Sequence, residues 1–266
     1  MDFMNFSELN DLSSYINSLA DASKKITSKG FGSNFSSDTK KDGSPVTKFD
    51  INAEKVICDQ IRLKFPNHDI VAEENGSVNN QSDFTWIIDP IDGTRSYVIG
   101  RPLWGTLIGF AYKGKPLLGL ADFPALNERW IGYESKCFLN NFEYQLSPNK
   151  VKDISQATIG STSPSLFSTD GKRKYEKLLE MTKYHSWSGD CHNYILVLKG
   201  GLDLVVEEGL SSYDILPLVP ILKSQNIQIT DWESKELKLE GDTLYKYNTL
   251  VSSSTEIYDS ALSVLK

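Results

Sequence analysis

Residues 86–102 read WIIDPIDGTRSYVIGRP, and this stretch places two aspartates, Asp89 and Asp92, at the end of an apolar run. A carboxylate that follows a buried strand costs free energy unless a cation or a hydrogen-bond donor meets it. Pro90 favours extended backbone and interrupts a strand ladder, so the chain is expected to turn here. The two carboxylates are therefore predicted to converge on one point.

A short helix is predicted directly after these aspartates. It would begin at Gly93 and Thr94 and continue to Ile99. Its first backbone N–H groups and its positive dipole end would then lie beside the carboxylates, where they suit a phosphate that is bridged to a divalent metal ion.

Three further acidic sites end apolar runs in the same way. They are Asp50 in SPVTKFD, Glu73 and Glu74 in DIVAEEN, and Asp214 in GLSSYDILPL. One such residue alone is more typical of a helix cap or a surface carboxylate, but the set together indicates a shared site. Because the ligands are oxygen atoms, with no His or Cys nearby, the pattern favours Mg²⁺ over zinc.

The composition is that of an ordinary globular protein. The chain has 266 residues, of which 39% are hydrophobic and 24% are charged, enough for one large unit with an ample core. The formal net charge of -7 argues against binding to nucleic acid or to an anionic membrane. Three widely spaced cysteines, an N-terminus unlike a signal peptide and the lack of a long apolar segment predict a cytoplasmic location.

The apolar periodicity predicts an α+β first half and an α/β second half within one unit of residues 1–266, divided as 1–145 and 146–266. A loop or hairpin rich in Gly and Ser is expected between the first two helices. The predicted helices cover residues 7–28, 50–64, 172–184 and 190–200. The predicted strands cover residues 69–74, 84–89, 105–112, 116–123, 129–134, 157–162, 185–189 and 203–208.

Four motifs, in the same order, resemble the signature of the magnesium-dependent inositol monophosphatase superfamily. They are DGSPVTKFD, VAEEN, WIIDPIDGTRSYVIGRP and GGLDLVVEEGLSSYDILPLVPIL, and they extend over about residues 40–235. The resemblance implies the layered αβαβα sandwich of the sugar-phosphatase fold, with the active site in the cleft between the halves. It also implies a homodimer that acts on a small phosphorylated metabolite.

Within that superfamily, the chain is most similar to the histidinol-phosphatase branch. RPLWGTLIGF, the P…ERW spacing of ADFPALNERWIG, SGDC and YDILPLVPI carry this finer resemblance. It implies hydrolysis of L-histidinol phosphate to L-histidinol and phosphate. Three alternatives stay open: an inositol-1-monophosphatase, a 3′(2′),5′-bisphosphate nucleotidase, and a metal-binding regulatory protein on the same scaffold.

The resemblance assigns metal ligands one by one, for two or three Mg²⁺ ions in each site. Glu73, Asp89 and the main-chain carbonyl of Ile91 would bind the first ion. Asp89, Asp92 and Asp214 would bind the second. Glu74, next to Glu73, would contact a further ion or its waters.

The same resemblance implies a catalytic set of Glu73, Asp50 and Thr94. Thr94 and Asp50 would orient a water, polarised by the first ion, for in-line attack on phosphorus. The amides of Gly93 and Thr94 would bind the phosphate.

Two acidic residues of the second half are predicted to contact the alcohol part of the substrate. They are Asp190, in SGDC, and Glu207, six residues before Tyr213. A cationic amino alcohol such as histidinol would be attracted by two carboxylates, whereas a nucleotide bisphosphate would need Lys or Arg.

Overall fold

Two large β-sheets, of seven and five strands, lie between three layers of helices in the computed structural model, which describes residues 6–40, 43–146, 151–241 and 245–266. The helices are α1 (Phe6–Gly30), α2 (Lys48–Lys64), α3 (Thr94–Val98), α4 (Thr169–Met181), α5 (His192–Leu198), α6 (Ser212–Ile215), α7 (Leu218–Lys223) and α8 (Thr255–Leu265). The strands are β1 (Asp38–Thr39), β2 (Pro45–Val46), β3 (Asp69–Ala72), β4 (Phe84–Asp92), β5 (Gly105–Tyr112), β6 (Lys115–Phe123), β7 (Glu128–Tyr133), β8 (Lys136–Leu139), β9 (Phe142–Tyr144), β10 (Thr158–Ser161), β11 (Tyr184–Trp187), β12 (Leu204–Leu210), β13 (Gln228–Thr230) and β14 (Tyr247–Ser252).

The first sheet contains β3 to β9 in chain order. Only its first pair, β3 and β4, is parallel, and the later pairs are antiparallel. The five strands predicted between residues 69 and 134 are present. The sequence prediction missed β8 and β9, which are short and joined by tight turns at Glu134 and at Asn140–Asn141, where φ is positive.

Strand β4 does not end at Asp89, so the prediction that Pro90 stops the ladder was wrong. Asp89 pairs with Leu107 and Asp92 pairs with Gly105, so two residues of β4 oppose one residue of β5 between these pairs. This is a β-bulge, which bends a strand and re-aims its side chains. The bulge accommodates Pro90 while the strand continues to Asp92.

The second sheet has the order β11-β10-β12-β14-β13. Strand β10 is parallel to both β11 and β12, as the predicted alternation of strands and helices requires, whereas β14 is antiparallel to its neighbours. Helix α4 begins at Thr169, before the predicted start, because the Ser168 hydroxyl accepts a hydrogen bond from the backbone N–H of Gly171 at 3.0 Å. The small strand pair β1–β2 confirms the hairpin between α1 and α2.

Alternate residues of the central strands contact different helical layers, as the period of two in a strand requires. Trp86 of β4 packs with α1 and α2, whereas Ile87 packs into the middle core, which contains residues of α5 and α7. In β12, Val205 joins that same middle core, whereas Leu204 packs against α4 and α8. The layers therefore follow the order αβαβα, which confirms the predicted fold. The middle core is shared by both sheets, and the division into halves at residue 145 stays a prediction.

Helix α1 is the longest described helix, with 25 residues, and it is amphipathic as predicted. Leu12, Ile16 and Leu19 are buried on one face, while its charged residues face outward. Neither α1 nor any other helix of the described ranges combines the length and the apolar character that crossing a membrane requires.

Close contact between β6 and the turn before α7 leaves no room for a side chain at Gly119. A Cβ atom there would lie 1.8 Å from the carbonyl oxygen of Pro217. We expect Gly119→Ala to lower the free energy of unfolding by about 1–3 kcal/mol, because backbone must move to relieve the overlap. Urea unfolding measures the change. Gly201→Ala is the control, since its nearest neighbour would lie 3.5 Å away; equal stability of the two variants would contradict the close contact.

Candidate active site

Three aspartates converge where β4 ends and α6 begins. Ligand oxygens of Asp89, Asp92 and Asp214 lie within 4.8 Å of one another. Asp214 occupies the first turn of α6, where the backbone N–H of Ser211 donates to its Oδ2 at 2.7 Å. The bulge in β4 and the start of α6 thus bring together carboxylates that are more than 120 residues apart in the sequence.

Glu73 joins this cluster because β3 and β4 are parallel neighbours. Ala72 pairs with Ile88 in the last matched position of the two strands, so the next residues, Glu73 and Asp89, lie side by side at the same end of β3 and β4. Their charges influence each other, since Glu73 contributes to the raised pKa of Asp89. The sequence prediction had placed these residues in one site, and the structure brings them together.

The clustered carboxylates hold protons more tightly than isolated ones. Burial raises the pKa of Asp89 well above its ordinary value, and the charges of Glu73, Asp92 and Asp214 raise it further. Burial and the charge of Asp190 likewise raise the pKa of Asp92, and burial raises the pKa of Asp214 to about 6. Like charges that are held together favour either protonation or a bound cation.

One lysine already meets part of this charge. The Lys40 ammonium, carried next to the β1–β2 hairpin, lies 2.7 Å from Glu73 Oε1 and 2.8 Å from Glu74 Oε1. Burial opposes the charge on Lys40, but the two glutamates outweigh that effect and raise its pKa. Lys40 contacts the two glutamates, and the charge of Lys246 also lowers the pKa of Asp214, so two lysines offset only part of the negative charge of the cluster.

The donor set fits a hard divalent cation such as Mg²⁺. The clustered side chains of Asp89, Asp92 and Asp214 offer only oxygen ligands. Mg²⁺ prefers oxygen ligands, whereas zinc sites in proteins commonly include His or Cys. The Ile91 carbonyl accepts a hydrogen bond from the Thr94 hydroxyl at 3.0 Å. A carbonyl oxygen has a second lone pair, so this contact is compatible with the predicted ligand role of Ile91.

Asp50 and Thr94 also lie in contact, although 44 residues separate them. The Thr94 hydroxyl is 3.3 Å from Asp50 Oδ1, while Asp50 Oδ2 accepts hydrogen bonds from the Thr47 N–H at 2.8 Å and the Thr47 hydroxyl at 2.5 Å. Thr47 caps α2 and thereby fixes the carboxylate. Burial raises the pKa of Asp50, and the Thr47 hydrogen bonds lower it in part.

The chain passes from β4 into α3 through Gly93, which has a φ of 80°. A Cβ atom at this position would lie 2.9 Å from the Leu103 carbonyl oxygen and 3.1 Å from Asp190 Oδ2. Only glycine satisfies both the left-handed backbone and the close approach. Because of this turn, α3 begins within two residues of Asp92, as the sequence predicted.

Asp190 stands over the start of α3. Its Oδ2 accepts a hydrogen bond from the Ser96 hydroxyl at 3.2 Å, and its backbone has a φ of 45°. Ser188, two residues earlier, is also left-handed. Non-glycine residues adopt this region at a cost, and such strain concentrates at functional sites. The Asp190 charge contributes to the raised pKa of both Asp92 and Glu207, so it acts on the acidic cluster and on Glu207.

Glu207 lies deeper than its predicted role in substrate binding would suggest. The side chain is buried on β12, its Oε1 accepts from the Thr162 N–H at 2.5 Å and the Thr162 hydroxyl at 2.8 Å, and its Oε2 accepts from the Ser161 hydroxyl at 3.1 Å. Burial raises its pKa to about 7 despite these hydrogen bonds. Direct contact between Glu207 and a substrate stays a prediction.

Several partners in the site were not predicted from the sequence. Lys40 was not predicted as a site residue. It lies shortly before the SPVT motif, so its place in the sequence could have indicated a cation near the acidic site. Ser96 and Thr162 had no such signal, since their partners lie 94 and 45 residues away in the chain. Contacts of this range follow from the fold and leave no local pattern.

Comparison with known proteins places these residues in a family context. The model of the inositol monophosphatase family matches residues 8–265. The bifunctional phosphatase IMPL2, chloroplastic, of Arabidopsis thaliana is 38% identical over 264 residues, which cover 97% of this chain and 76% of that protein. The histidinol-phosphatase of Chlorobaculum parvum is 31% identical over 234 residues, which cover 86% of this chain and 89% of that protein.

A solved structure of an inositol monophosphatase from Zymomonas mobilis has the same fold. It superimposes with a TM-score of 0.81 at 31% sequence identity, over 94% of this chain and 95% of the other.

The buried Glu207 predicts a specific pH dependence of stability. Its folded pKa of about 7 lies above the unfolded value, so the protonated carboxyl stabilises the fold fully at pH 4 and this contribution is lost as the pH rises through 7. Glu207→Gln mimics the protonated form and cannot ionise. Between pH 5 and pH 8 we expect the wild type to lose on the order of 2 kcal/mol more unfolding free energy than the variant.

Urea unfolding with chelator present measures both proteins at each pH. Both proteins contain the remaining carboxylates, so the contribution of these groups to the pH dependence of the unfolding free energy cancels in the comparison. Parallel pH profiles would contradict the raised pKa of Glu207.

Proposed function

The chain belongs to the inositol monophosphatase family and is a phosphoric monoester hydrolase, and from this premise we propose that it hydrolyses L-histidinol phosphate with Mg²⁺ as cofactor. Because members of this family are phosphoric monoester hydrolases, the alternative of a metal-binding regulatory protein without catalytic activity is excluded. An inositol-1-monophosphatase or a 3′(2′),5′-bisphosphate nucleotidase would use the same metal chemistry with a different alcohol pocket.

The observation that carries the substrate proposal is the pair of acidic side chains beyond the metal cluster. Asp190 and Glu207 lie close enough for the charge of one to raise the pKa of the other. A protonated amine or imidazolium group beside Asp190 would be stabilised by the negative charge of this pair, whereas a second phosphate would be repelled. Arg95 and Arg101 are exposed and act on Asp190 from the rim. The name of the Chlorobaculum relative supports the same substrate.

Mg²⁺ would be held by the side chains that converge at the end of β4. Glu73, Asp89 and the Ile91 carbonyl would hold the first ion, and Asp89, Asp92 and Asp214 would hold the second. When bound, such ions lower the pKa of a water and neutralise the charge of the phosphate and of the departing alkoxide.

The remaining residues would position the reactants. The Thr94 hydroxyl, which lies between Asp50 Oδ1 and the Ile91 carbonyl, would accept a hydrogen bond from the attacking water and pass a proton towards Asp50. Thr47 keeps that carboxylate in place. The N–H groups of Gly93 and Thr94, at the start of α3, would donate to the phosphate oxygens.

Phosphate release from L-histidinol phosphate and from myo-inositol 1-phosphate, measured side by side with Mg²⁺ and with chelator, tests the proposal. We expect release that requires Mg²⁺ and a higher kcat/KM for histidinol phosphate. A preference for inositol phosphate would replace the substrate and leave the metal chemistry intact. Equal release with chelator would overturn the role of Mg²⁺.

We also retain a homodimer and a cytoplasmic location as predictions. Cys58, Cys137 and Cys191 are buried as free thiols, which is consistent with a reducing compartment.

Asp92→Asn removes one charge from the metal cluster and preserves the shape of the side chain. We expect kcat to fall at least roughly a hundredfold, as when a strong electrostatic stabiliser is removed. The fold should be retained, because the amide oxygen of Asn can still accept the hydrogen bond that the Cys191 N–H donates to Asp92 at 2.6 Å. Asp83→Asn, at an exposed position before β4, is the control. Near-normal turnover of Asp92→Asn would refute its ligand role.

Asp190→Asn tests substrate recognition apart from catalysis. Asn tolerates the left-handed backbone and can accept the Ser96 hydrogen bond, so the change removes only the charge. We expect KM for histidinol phosphate to rise roughly tenfold or more, with a smaller change for glycerol phosphate, which lacks a cationic group. An equal effect on both substrates would show that Asp190 does not select for positive charge.

A further inference from the structure

Helix α2 carries a second buried carboxylate one turn after Asp50. Glu54 is fully buried, and its spacing of four residues places it on the same face of the helix as Asp50. Nothing in the chemistry described above uses it. A buried carboxylate needs hydrogen-bond donors, so its partners indicate its role.

The partners of Glu54 lie in the turn that follows β3. Its Oε2 accepts a hydrogen bond from the backbone N–H of Glu74 at 2.7 Å. Its Oε1 accepts from the backbone N–H of Asn75 at 2.5 Å and from the Asn75 side chain at 2.9 Å. Three donors to one carboxylate form a charge-assisted network that fixes the backbone of this turn.

The turn needs such support because the sheet does not reach it. The last matched pair of β3 and β4 is Ala72 with Ile88, so Glu73 and Glu74 lie beyond the ladder. Lys40 contacts the ends of both glutamate side chains, at 2.7 Å and 2.8 Å, but it does not hold the backbone from which they extend. The hydrogen bonds that Glu54 accepts from the N–H groups of Glu74 and Asn75 hold that backbone.

We propose that Glu54 is a positioning residue that orients Glu73 and Glu74 towards the divalent cation; this rests on the proposed metal site. Through it, α2 restrains two sides of the site at once. Asp50 contacts Thr94 on one side, and Glu54 holds the turn that carries the glutamates on the other.

Calorimetric titration of Mg²⁺ into wild type and Glu54→Gln tests this role. The variant replaces one acceptor oxygen with an NH₂ group that faces an N–H donor, so at least one hydrogen bond is lost. We expect the affinity for Mg²⁺ to fall about 10–100-fold, as is typical when a group that orients metal ligands is altered. At saturating Mg²⁺, turnover should return to within a few-fold of wild type, because Glu54 does not touch the substrate.

Two control variants separate positioning from other effects. Asp203→Asn alters another buried carboxylate, which accepts a hydrogen bond from the Thr158 N–H at 2.8 Å in the second sheet, and it should leave the affinity for Mg²⁺ unchanged. Glu54→Asp keeps the charge but is too short to reach both Glu74 and Asn75. It should weaken Mg²⁺ binding as Glu54→Gln does, whereas a purely electrostatic role would leave it normal.

The outcomes distinguish this inference from the proposed function. A wild type that binds no Mg²⁺ would overturn the metal site itself. Equal affinity of wild type and folded Glu54→Gln would overturn only the role of Glu54. If Glu54→Gln does not fold, Asn75→Ala, at an exposed residue, removes one hydrogen bond from the other side. It should weaken Mg²⁺ binding by a smaller factor, and unchanged affinity would overturn the role.

Discussion

Repulsion among the carboxylates at the end of β4 is the constraint on which the rest of the site depends. Glu73, Asp89 and Asp92 lie at one end of β3 and β4 and meet Asp214 at the start of α6, and burial raises the pKa of each of them. A protein that needed only stability would avoid such a cluster, because each buried charge without a partner costs free energy. The arrangement is favourable when cations neutralise it, and Lys40 supplies only part of that neutralisation.

The fold holds these groups together with rigid devices. The bulge at Pro90 turns β4, Gly93 starts α3 immediately afterwards, and the first turn of α6 delivers Asp214 from the second half of the chain. Close packing between β6 and Pro217 fixes the approach of the following helix. Side chains on strands and helices are held closer to the geometry that a site requires than side chains on loops. The loop that carries Asp190 is the exception, and its left-handed backbone is where substrate selection is proposed to occur.

The sequence predicted most of the layers and all of the clustered acidic residues, because both leave local patterns. An apolar run that ends in a carboxylate identified Asp89 and Asp214, and periodicity identified α1, α2 and the longer strands. It did not predict β8, β9, β13, β14 or α8. The side-chain partners that it missed in the site depend on contacts between distant segments. Lys40 meets Glu73 across 33 residues and Glu54 meets Glu74 across 20, so neither pairing is visible in a window of sequence. The continuation of β4 past its proline was missed because a bulge overrides the local preference of that residue.

A crystal soaked in Mn²⁺, a close substitute for Mg²⁺ with a strong anomalous signal, tests whether the clustered carboxylates bind a divalent cation. We expect anomalous peaks within about 2.5 Å of carboxylate oxygens of Asp89 and Asp214, with Asp92 and Glu73 completing the ligand sets. Ions bound elsewhere, or no metal at these carboxylates at saturating Mn²⁺, would rule out this role of the cluster.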